Sequence, residues 1–119
     1  MKRELLLSLL LALVLLSACS GKYDAADNGF DKICLIYEDI LNDPAYAKRP
    51  RIDKYVLVSE AVQKYVTDVD AITAYTAVAS AEPNLKYQLF KEAAEMSLKR
   101  AWDCEAIKNE QAQKAHEKT

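Results

Sequence analysis

The chain has 119 residues, of which 51% are apolar and 29% charged, and its 16 basic and 18 acidic side chains give a formal net charge of −2. This length accommodates one small domain and is too short for most two-domain enzymes. The near balance of charge lacks the basic excess expected of a nucleic-acid-binding protein, so no nucleic acid partner is predicted.

Residues 1–18 have the three-part layout of a secretory signal peptide. A basic pair comes near the start, Leu5–Leu16 is apolar apart from one serine, and small residues lead to Cys19. Twelve residues of helix rise about 18 Å, which is well short of the hydrocarbon core of about 30 Å. The segment is therefore predicted to be an export signal rather than a permanent transmembrane helix.

The end of this segment, Leu16-Ser17-Ala18-Cys19, resembles the lipobox of bacterial lipoproteins, in which a branched residue precedes small residues and an obligatory cysteine. The resemblance implies diacylglycerol on the Cys19 thiol, cleavage after Ala18 and usually acylation of the new amino terminus. Two or more acyl chains anchor a protein stably to a membrane. In such lipoproteins, Ser20 after the acylated cysteine implies the outer membrane of a Gram-negative host, facing the periplasm. The alternatives are an ordinary signal peptide with a chance cysteine and an uncleaved anchor.

The three cysteines fit an exported lipoprotein because lipidation of Cys19 leaves Cys34 and Cys104 as a pair. Disulfides persist in oxidising compartments, and a bond that closes a loop of about 70 residues contributes roughly 4 kcal/mol. A metal site or a nucleophilic thiol is the alternative. Metal binding would need further ligands, yet the chain has no C-x-x-C motif and a single histidine, His116. A structural disulfide between Cys34 and Cys104 is predicted.

The mature chain is predicted to begin with the acylated Cys19 and a polar tether, residues 19–27, followed by a helical domain over residues 28–107. Extended at about 3.3 Å per residue, the tether over residues 20–27 would span about 26 Å. The first helix is predicted to begin at Asn28, since Asn28 and Asp31 have the spacing of a capping box and apolar residues then recur every three or four positions. Asn42-Asp43-Pro44 is predicted to end this helix.

A second helix is predicted after Pro50, although Tyr55–Val58 has the composition of a strand. Its predicted apolar face comprises Ile52, Tyr55, Val56, Val62 and Val66. Thr67–Asp70 offers another N-cap, from which a third helix with Val69 and Ile72 on its apolar face would continue. No Gly or Pro separates these helices, so one long bent helix is the alternative.

Pro83 marks the last clear break, and a fourth and longest helix is predicted from Leu85 to Ile107, because this stretch is rich in helix-forming residues and has apolar residues at helical spacing. The polar tail, residues 108–119, is expected to fray. The predicted fold is an all-α, up-down bundle of four helices, or three if the middle two merge. In such a bundle the first and last helices are antiparallel neighbours, which would bring Cys34 and Cys104 together.

Few residues of the domain suggest catalysis. The carboxylate pair Glu38-Asp39 is of a kind common on solvated helix faces, and Asp68-x-Asp70 lacks the glycine and terminal glutamate of a calcium loop. Both glycines precede the core of the domain, so no glycine-rich phosphate loop is present. We therefore predict that the protein is not an enzyme and has no catalytic residues, no cofactor and no bound metal.

The predicted function is that of a membrane-tethered helical module that binds another protein of the cell envelope. In broad architecture such a chain is similar to several periplasmic immunity proteins, so an immunity or inhibitor role against an envelope-targeting toxin is one alternative. Another is a small-molecule or lipid carrier, with tyrosine and methionine side chains lining a cavity between helices. The corner Trp102-Asp103-Cys104 is the first candidate for a fixed exposed feature, the alternative being that Trp102 packs over the disulfide.

Overall fold

A computed structural model of the protein describes residues 22–117, without the side chains of residues 51, 52 and 113–117. Helices are the only regular secondary structure in this part of the chain, which contains six of them. They are α1 (Gly29–Leu41), α2 (Pro44–Ala47), α3 (Arg51–Tyr65), α4 (Val69–Val78), α5 (Lys86–Leu98) and α6 (Glu105–Glu117). The all-α class is confirmed, the helix number of four or three is wrong, and the up-down order stays a prediction. The signal peptide, the lipobox and Cys19 lie outside the described residues.

Helix α1 occupies the centre of the domain, where it packs against α2, α3, α4 and α6. It begins where predicted: the Asn28 side chain is the N-cap and accepts a hydrogen bond from the backbone amide of Asp31. Phe30, Ile33 and Ile36 are almost completely buried. Because these side chains cover a wide arc of the helix, α1 can be enclosed by neighbours on several sides.

Helices α1 and α4 meet at their N termini, where one carboxylate caps both. Asp68 accepts hydrogen bonds from the backbone amides of Asp70 and Ala71 in α4 and from that of Gly29 in α1, at 3.1, 3.5 and 3.1 Å. A Cβ atom on Gly29 would lie 2.5 Å from the Cβ atom of Asp68 and 2.7 Å from that of Ala71. Glycine is therefore required here by the close approach of the two helices.

Residues 66–68 separate α3 from α4, so the second and third predicted helices are distinct. The predicted face of α3 is partly wrong. Val62 and Val66 are buried as expected and Val58 joins them, whereas Tyr55 and Val56 are 42% and 46% exposed. The buried valines follow one another at intervals of four residues, which places them on one face of the helix.

Helix α4 buries its small residues and exposes its larger apolar ones, contrary to the predicted face. Ala71 and Ala74 are buried, while Val69 is 73% and Ile72 37% exposed. The reason is close packing: α4 lies against both α1 and α5, and alanine side chains allow helix axes to approach more closely than β-branched ones.

The predicted fourth helix consists of two helices, α5 and α6, joined by an irregular turn over residues 99–104. Lys99 ends α5 in the left-handed conformation, with φ 56° and ψ 38°, which costs a non-glycine residue about 1–2 kcal/mol. Burial of Trp102 and Cys104, which are 3% and 2% exposed, offsets this cost. The polar tail expected to fray is helical up to Glu117, since Ile107 and Gln111 are buried and hold α6 to the domain.

The chain before α1 is packed against the domain from Lys22 onward, in contrast to the tether predicted over residues 20–27. Tyr23 is 6% exposed, and its ring contacts the ring of Tyr65 edge-on at a centroid distance of 5.0 Å. Its hydroxyl donates to Asp39 Oδ2 at 2.8 Å, and Lys22 Nζ lies 2.8 Å from the same oxygen. The N-terminal segment is thus bonded to the last turn of α1.

The structure contains the predicted disulfide between Cys34 and Cys104, with a Cα–Cα distance of 5.9 Å. Cys104 immediately precedes α6 instead of lying near the end of a long last helix. The bond therefore joins the second turn of α1 to the start of α6, and it fixes the irregular turn over residues 99–104 against the central helix.

Candidate functional site

The corner at residues 102–104, which the sequence singles out, is a packed junction. The Trp102 ring contacts those of Phe30 and Phe90 edge-on, with centroids 6.4 and 5.5 Å apart. Its indole N–H donates to Asp31 Oδ1 at 2.8 Å, and its backbone amide donates to Glu95 Oε2 at 3.3 Å. Of the two readings of this corner, the structure supports packing of Trp102 in the core beside the disulfide.

Tyr87 completes this junction on its α5 side. Its hydroxyl donates to the Asp103 carboxylate and accepts a hydrogen bond from the backbone amide of Cys104 at 3.2 Å. Burial, followed by the hydrogen bond to Asp103, raises the pKa of Tyr87 to about 12. The same hydrogen bond lowers the pKa of the Asp103 carboxyl. These groups hold protein structure together, and both thiols of the junction are oxidised in the disulfide.

Three of the four carboxylates singled out in the sequence, Asp39, Asp68 and Asp70, have structural partners. Asp39 binds Tyr23 and Lys22, and the hydrogen bond from Lys22 is the main cause that lowers its pKa. Asp68 caps α1 and α4, and Asp70 accepts a hydrogen bond from Ser97 Oγ at 2.8 Å. Within residues 22–117 no group of three or more His, Cys, Asp or Glu side chains is placed to hold a metal ion.

A narrow cleft lies between α1, α3, α4, α5 and α6, and the space inside it that a water-sized molecule can reach is about 30 Å³. We call it the tyrosine cleft because three of these helices each contribute a tyrosine: Tyr37 from α1, Tyr55 from α3 and Tyr75 from α4. Ile33, Phe90 and Ile107, all at most 2% exposed, also line it. The deep part of the cleft is thus apolar, and Tyr55, 42% exposed, lies nearer the solvent.

Two tyrosines of the cleft, Tyr37 and Tyr75, have raised pKa values. Burial raises the pKa of Tyr37 well above its usual value, with smaller contributions from Tyr75, Glu110 and Tyr55. Burial also raises the pKa of Tyr75, whose hydroxyl lies 2.9 Å from Ser59 Oγ. The phenol groups therefore act as neutral hydrogen-bonding groups and aromatic surfaces, and they do not act as anions.

Two charged residues of opposite sign line the same cleft, Lys86 and Glu110. Lys86 Nζ donates to the backbone carbonyl of Ala79 at 2.9 Å, so its position is set by the end of α4. Because one ammonium and one carboxylate face the cleft, their formal charges cancel there. The cleft has no excess charge with which to select an ion.

Gln111 lines the cleft from α6 and has an unsatisfied group. Its side chain is 9% exposed, and its Oε1 atom is buried without a hydrogen-bond partner. A buried acceptor without a partner costs about 1–3 kcal/mol. Gln111 also lines a neighbouring groove together with Pro83 and Tyr87.

A second feature is an apolar surface on the paired helices α4 and α5, which we call the outer apolar strip: Val69, Ile72, Leu85, Leu89 and Met96. Leu85, which precedes α5 as its N-cap, and Leu89 and Met96 of α5 are spaced by four and seven residues, so they share one helix face. Val69 and Ile72 share a face of α4. The two helices pack together and run in opposite directions, because Asp70 bonds to Ser97 at one end and Ala79 bonds to Lys86 at the other.

Neither feature follows directly from the sequence. Tyr55, Tyr65 and Tyr75 follow one another at intervals of ten residues, which turns successive members by about 80° on a helix and excludes a single stripe. The structure brings Tyr55 and Tyr75 together from different helices. Met96, which the carrier hypothesis would place in a cavity, is 80% exposed. The apolar spacing of Val69 and Ile72 is a real signal, but it marks an exposed face instead of the core.

No protein-family model matches the chain, and no curated protein or solved structure matches it. None of the helices within residues 22–117 is long and apolar enough to cross a membrane. The candidate functional features of the chain are therefore the tyrosine cleft, the outer apolar strip and the N-terminal lipobox sequence.

Proposed function

We propose that this chain is a lipid-anchored protein of the cell envelope that binds a protein partner, without catalysis, through the outer apolar strip. The anchor is the acylated Cys19 that the Leu16–Cys19 sequence implies, and in a Gram-negative host the domain would face the periplasm from the outer membrane. An immunity or inhibitor role against an envelope-targeting toxin would be one form of such binding.

Exposure of the strip is the observation that supports the binding role. Met96 and Val69 are 80% and 73% exposed, and Ile72, Leu85 and Leu89 are between 37% and 48% exposed. Burying one large apolar side chain completely contributes about 1.5–3 kcal/mol. Large exposed apolar patches are typical of protein or membrane contacts, and we propose that these five side chains form one such patch.

The net charge of the mature chain is too small to indicate the charge of its partner. Removal of residues 1–18 would take away Lys2, Arg3 and Glu4 and leave 14 basic and 17 acidic side chains. Such a small acidic excess favours neither a strongly basic nor a strongly acidic partner. We therefore propose a partner in the envelope whose contact surface is apolar.

The binding role is tested by crosslinking in living cells. A photo-crosslinking amino acid in place of Met96 is expected to trap one envelope protein, because Met96 is the most exposed member of the strip. The matched control carries the same amino acid in place of the exposed Glu60 on α3. Met96→Glu should abolish capture by a crosslinker placed at Leu89 without changing the melting temperature. Equal adducts from positions 96 and 60 would contradict the proposal.

The anchor is tested separately. Wild-type protein is expected to incorporate labelled palmitate and to sediment with membranes, and Cys19→Ser should lose both properties because it lacks the thiol that is acylated. Cys34→Ser is the control, since it removes a cysteine of the disulfide and leaves the lipobox intact. Label incorporation into Cys19→Ser equal to that of the wild type would show that the anchor is elsewhere.

A small-molecule carrier is the second candidate function. The observation that favours it is the tyrosine cleft, whose apolar interior and few polar groups are typical of ligand sites. The two functions use different surfaces of the domain, so evidence for one does not exclude the other.

A further inference from the structure

We infer that small thiols exchange with the disulfide at Cys34 and that carboxylates beside this sulfur select them by charge. Thiols that carry a basic group then reduce the bond faster than thiols that carry an acidic group. The inference concerns the junction of α1 with α6, so it depends neither on the proposed partner nor on the proposed anchor. Two features carry it: the unequal burial of the two cysteines and the acidic side chains next to Cys34.

The two cysteines differ in their access to solvent. Cys104 is 2% exposed and belongs to the core, whereas Cys34 is half-buried and packs against the edge of the core. A thiolate breaks a disulfide by attacking one of its two sulfurs, and access decides which sulfur it reaches. Attack is therefore expected at Cys34, with Cys104 as the leaving group.

The exchange proceeds in two steps. The attacking thiolate forms an S–S bond to Cys34 Sγ while the bond to Cys104 breaks, and the Cys104 sulfur leaves as a thiolate that takes up a proton from water. A second thiolate then attacks the sulfur that the first one contributed and releases Cys34 as a thiolate, which is also protonated. Two small thiols are thus oxidised to one disulfide, and the protein disulfide is reduced to two thiols.

A carboxylate lies directly beside the sulfur that is attacked. Glu38 follows Cys34 by one turn of α1 and is exposed, and its Oε1 atom lies 3.7 Å from Cys34 Sγ. Glu105, which directly follows Cys104 in the chain, is exposed as well. An incoming thiolate is negatively charged, so a carboxylate at this position repels it, and the repulsion grows with each further negative charge on the thiol.

Glu38 and Glu105 line one groove beside the disulfide, which we call the acidic groove. Its charged residues are Glu38, Glu105 and Glu110, together with one basic residue, Lys54. The space inside it that a water-sized molecule can reach is about 520 Å³, so a thiol of a few atoms can enter. Because the acidic side chains outnumber the basic one, a thiol that approaches Cys34 from this groove meets a negative potential.

The test compares three small thiols, cysteamine, 2-mercaptoethanol and 2-mercaptoethanesulfonate, whose thiolate forms are neutral, singly negative and doubly negative overall. Reduction of the folded, oxidised protein is followed by mass spectrometry after acid quenching. Each rate is divided by the thiolate concentration and by the rate with an uncharged disulfide, that of N-acetyl-cysteinamide. Cysteamine is then expected to react about tenfold faster than mercaptoethanesulfonate, because two unit charges about 6 Å apart in water change a rate about threefold.

Glu38→Gln removes the charge and keeps the size of the side chain, so the tenfold ratio should fall to about threefold or less. Glu60→Gln, at an exposed position on α3, changes the net charge of the protein equally and should keep the ratio. The melting temperature of each variant reports whether it is folded. In the unmodified protein, sodium chloride at about 1 M should also lower the ratio, because salt screens exposed charges.

Peptide mapping of the acid-quenched mixed disulfide identifies the sulfur that is attacked, and it should find the small thiol on Cys34. The inference would be overturned by a small thiol found mainly on Cys104, by equal corrected rates for the three thiols, or by an unchanged ratio in folded Glu38→Gln. Loss of the ratio in Glu60→Gln would also overturn it, because the net charge of the protein and not the position of Glu38 would then select the thiol.

Discussion

Asp31 shows how much long-range structure a single side chain can organise. Its carboxylate accepts hydrogen bonds from the side-chain amide of Asn28, from the Trp102 indole and from Arg100, at 2.9, 2.8 and 3.3 Å. The sequence predicts only the first of these roles, because helix capping is local. The other two partners are about 70 positions away and reach Asp31 only after α5 and the following turn have folded back onto α1.

We predict that the two distant partners of Asp31 contribute unequally to stability. Trp102→Phe should lower the free energy of unfolding by roughly 1–3 kcal/mol, because it removes a buried indole and leaves the Asp31 carboxylate short of a donor. Arg100→Ala should lower it by less than about 1 kcal/mol, since the Arg100 side chain is 53% exposed. Denaturant titration of both variants measures the difference, and equal losses would contradict this assignment.

We also predict an alkaline loss of stability that involves Tyr23. Burial, followed by the hydrogen bond to Asp39, raises the pKa of Tyr23 from 10.0 to about 12. Since the folded protein keeps the proton that the unfolded chain releases, the contribution of Tyr23 is complete below pH 10 and is lost as the pH rises toward about 12. Denaturant titrations between pH 9 and pH 12 should show this fall.

Tyr23→Phe is the control for that experiment, because it cannot ionise and should make the decline shallower. Tyr37, which is buried, and Tyr87, which is half-buried, also have raised pKa values, so the variant should retain part of the pH dependence. A decline equally steep in Tyr23→Phe would show that Tyr23 does not contribute.

At the level of elements, local signals predict where helices begin and end, and tertiary packing decides which faces they bury. The capping residues Asn28 and Asp68 are recognisable in the sequence because their side chains bond to amides two or three positions away. The buried face of α4 is not recognisable, since it depends on α1 and α5 approaching Ala71 and Ala74. No Gly or Pro near Lys99 predicts the end of α5. The helix ends there because Trp102 contacts Asp31 and Phe30, which are distant in the sequence.

We predict that Gly29→Ala destabilises the protein although alanine is the better helix former by about 1 kcal/mol. The added Cβ would lie 2.5 and 2.7 Å from the Cβ atoms of Asp68 and Ala71, so α1 and α4 would have to separate. Overpacking of this kind costs roughly 1–3 kcal/mol. Thermal and denaturant unfolding of the variant measure the net change.

Ala71→Gly in the Gly29→Ala background removes one of the two clashing atoms and serves as the control. We expect it to recover part of the lost stability, whereas Ala71→Gly alone should be destabilising because it weakens α4. Unchanged stability of Gly29→Ala would mean that the helices can separate at no cost.

At the scale of the whole molecule, cysteine parity predicts the one covalent link of the domain, whereas the tyrosine cleft is beyond prediction from the sequence. The number of cysteines is sufficient for this prediction because two thiols that remain in an oxidising compartment are expected to pair. The cleft combines Tyr37, Tyr55 and Tyr75 with Gln111 from four helices, one of them a segment expected to fray. Its existence therefore depends on how all of those helices pack, which no local pattern encodes.

We predict that reduction of the Cys34–Cys104 disulfide lowers the free energy of unfolding by about 4 kcal/mol, because the bond closes a loop with a sequence separation of 70. Denaturant titrations with and without a reducing agent measure the change. The variant with both Cys34→Ala and Cys104→Ala is the control and should be insensitive to the reducing agent. An unchanged midpoint on reduction, or two free thiols in the oxidised protein, would contradict a stabilising role of the bond.

The packed N-terminal segment has a consequence for where the domain can work. Tyr23 is buried against Tyr65, so an acyl anchor on Cys19, as proposed, would be linked to the packed chain at Lys22 through Ser20 and Gly21 alone. Three extended residue steps span at most about 11 Å, less than half the reach of the free tether predicted from residues 20–27. The domain would be confined to a thin layer beside the lipid head groups, and its search for a partner would be two-dimensional diffusion along the bilayer.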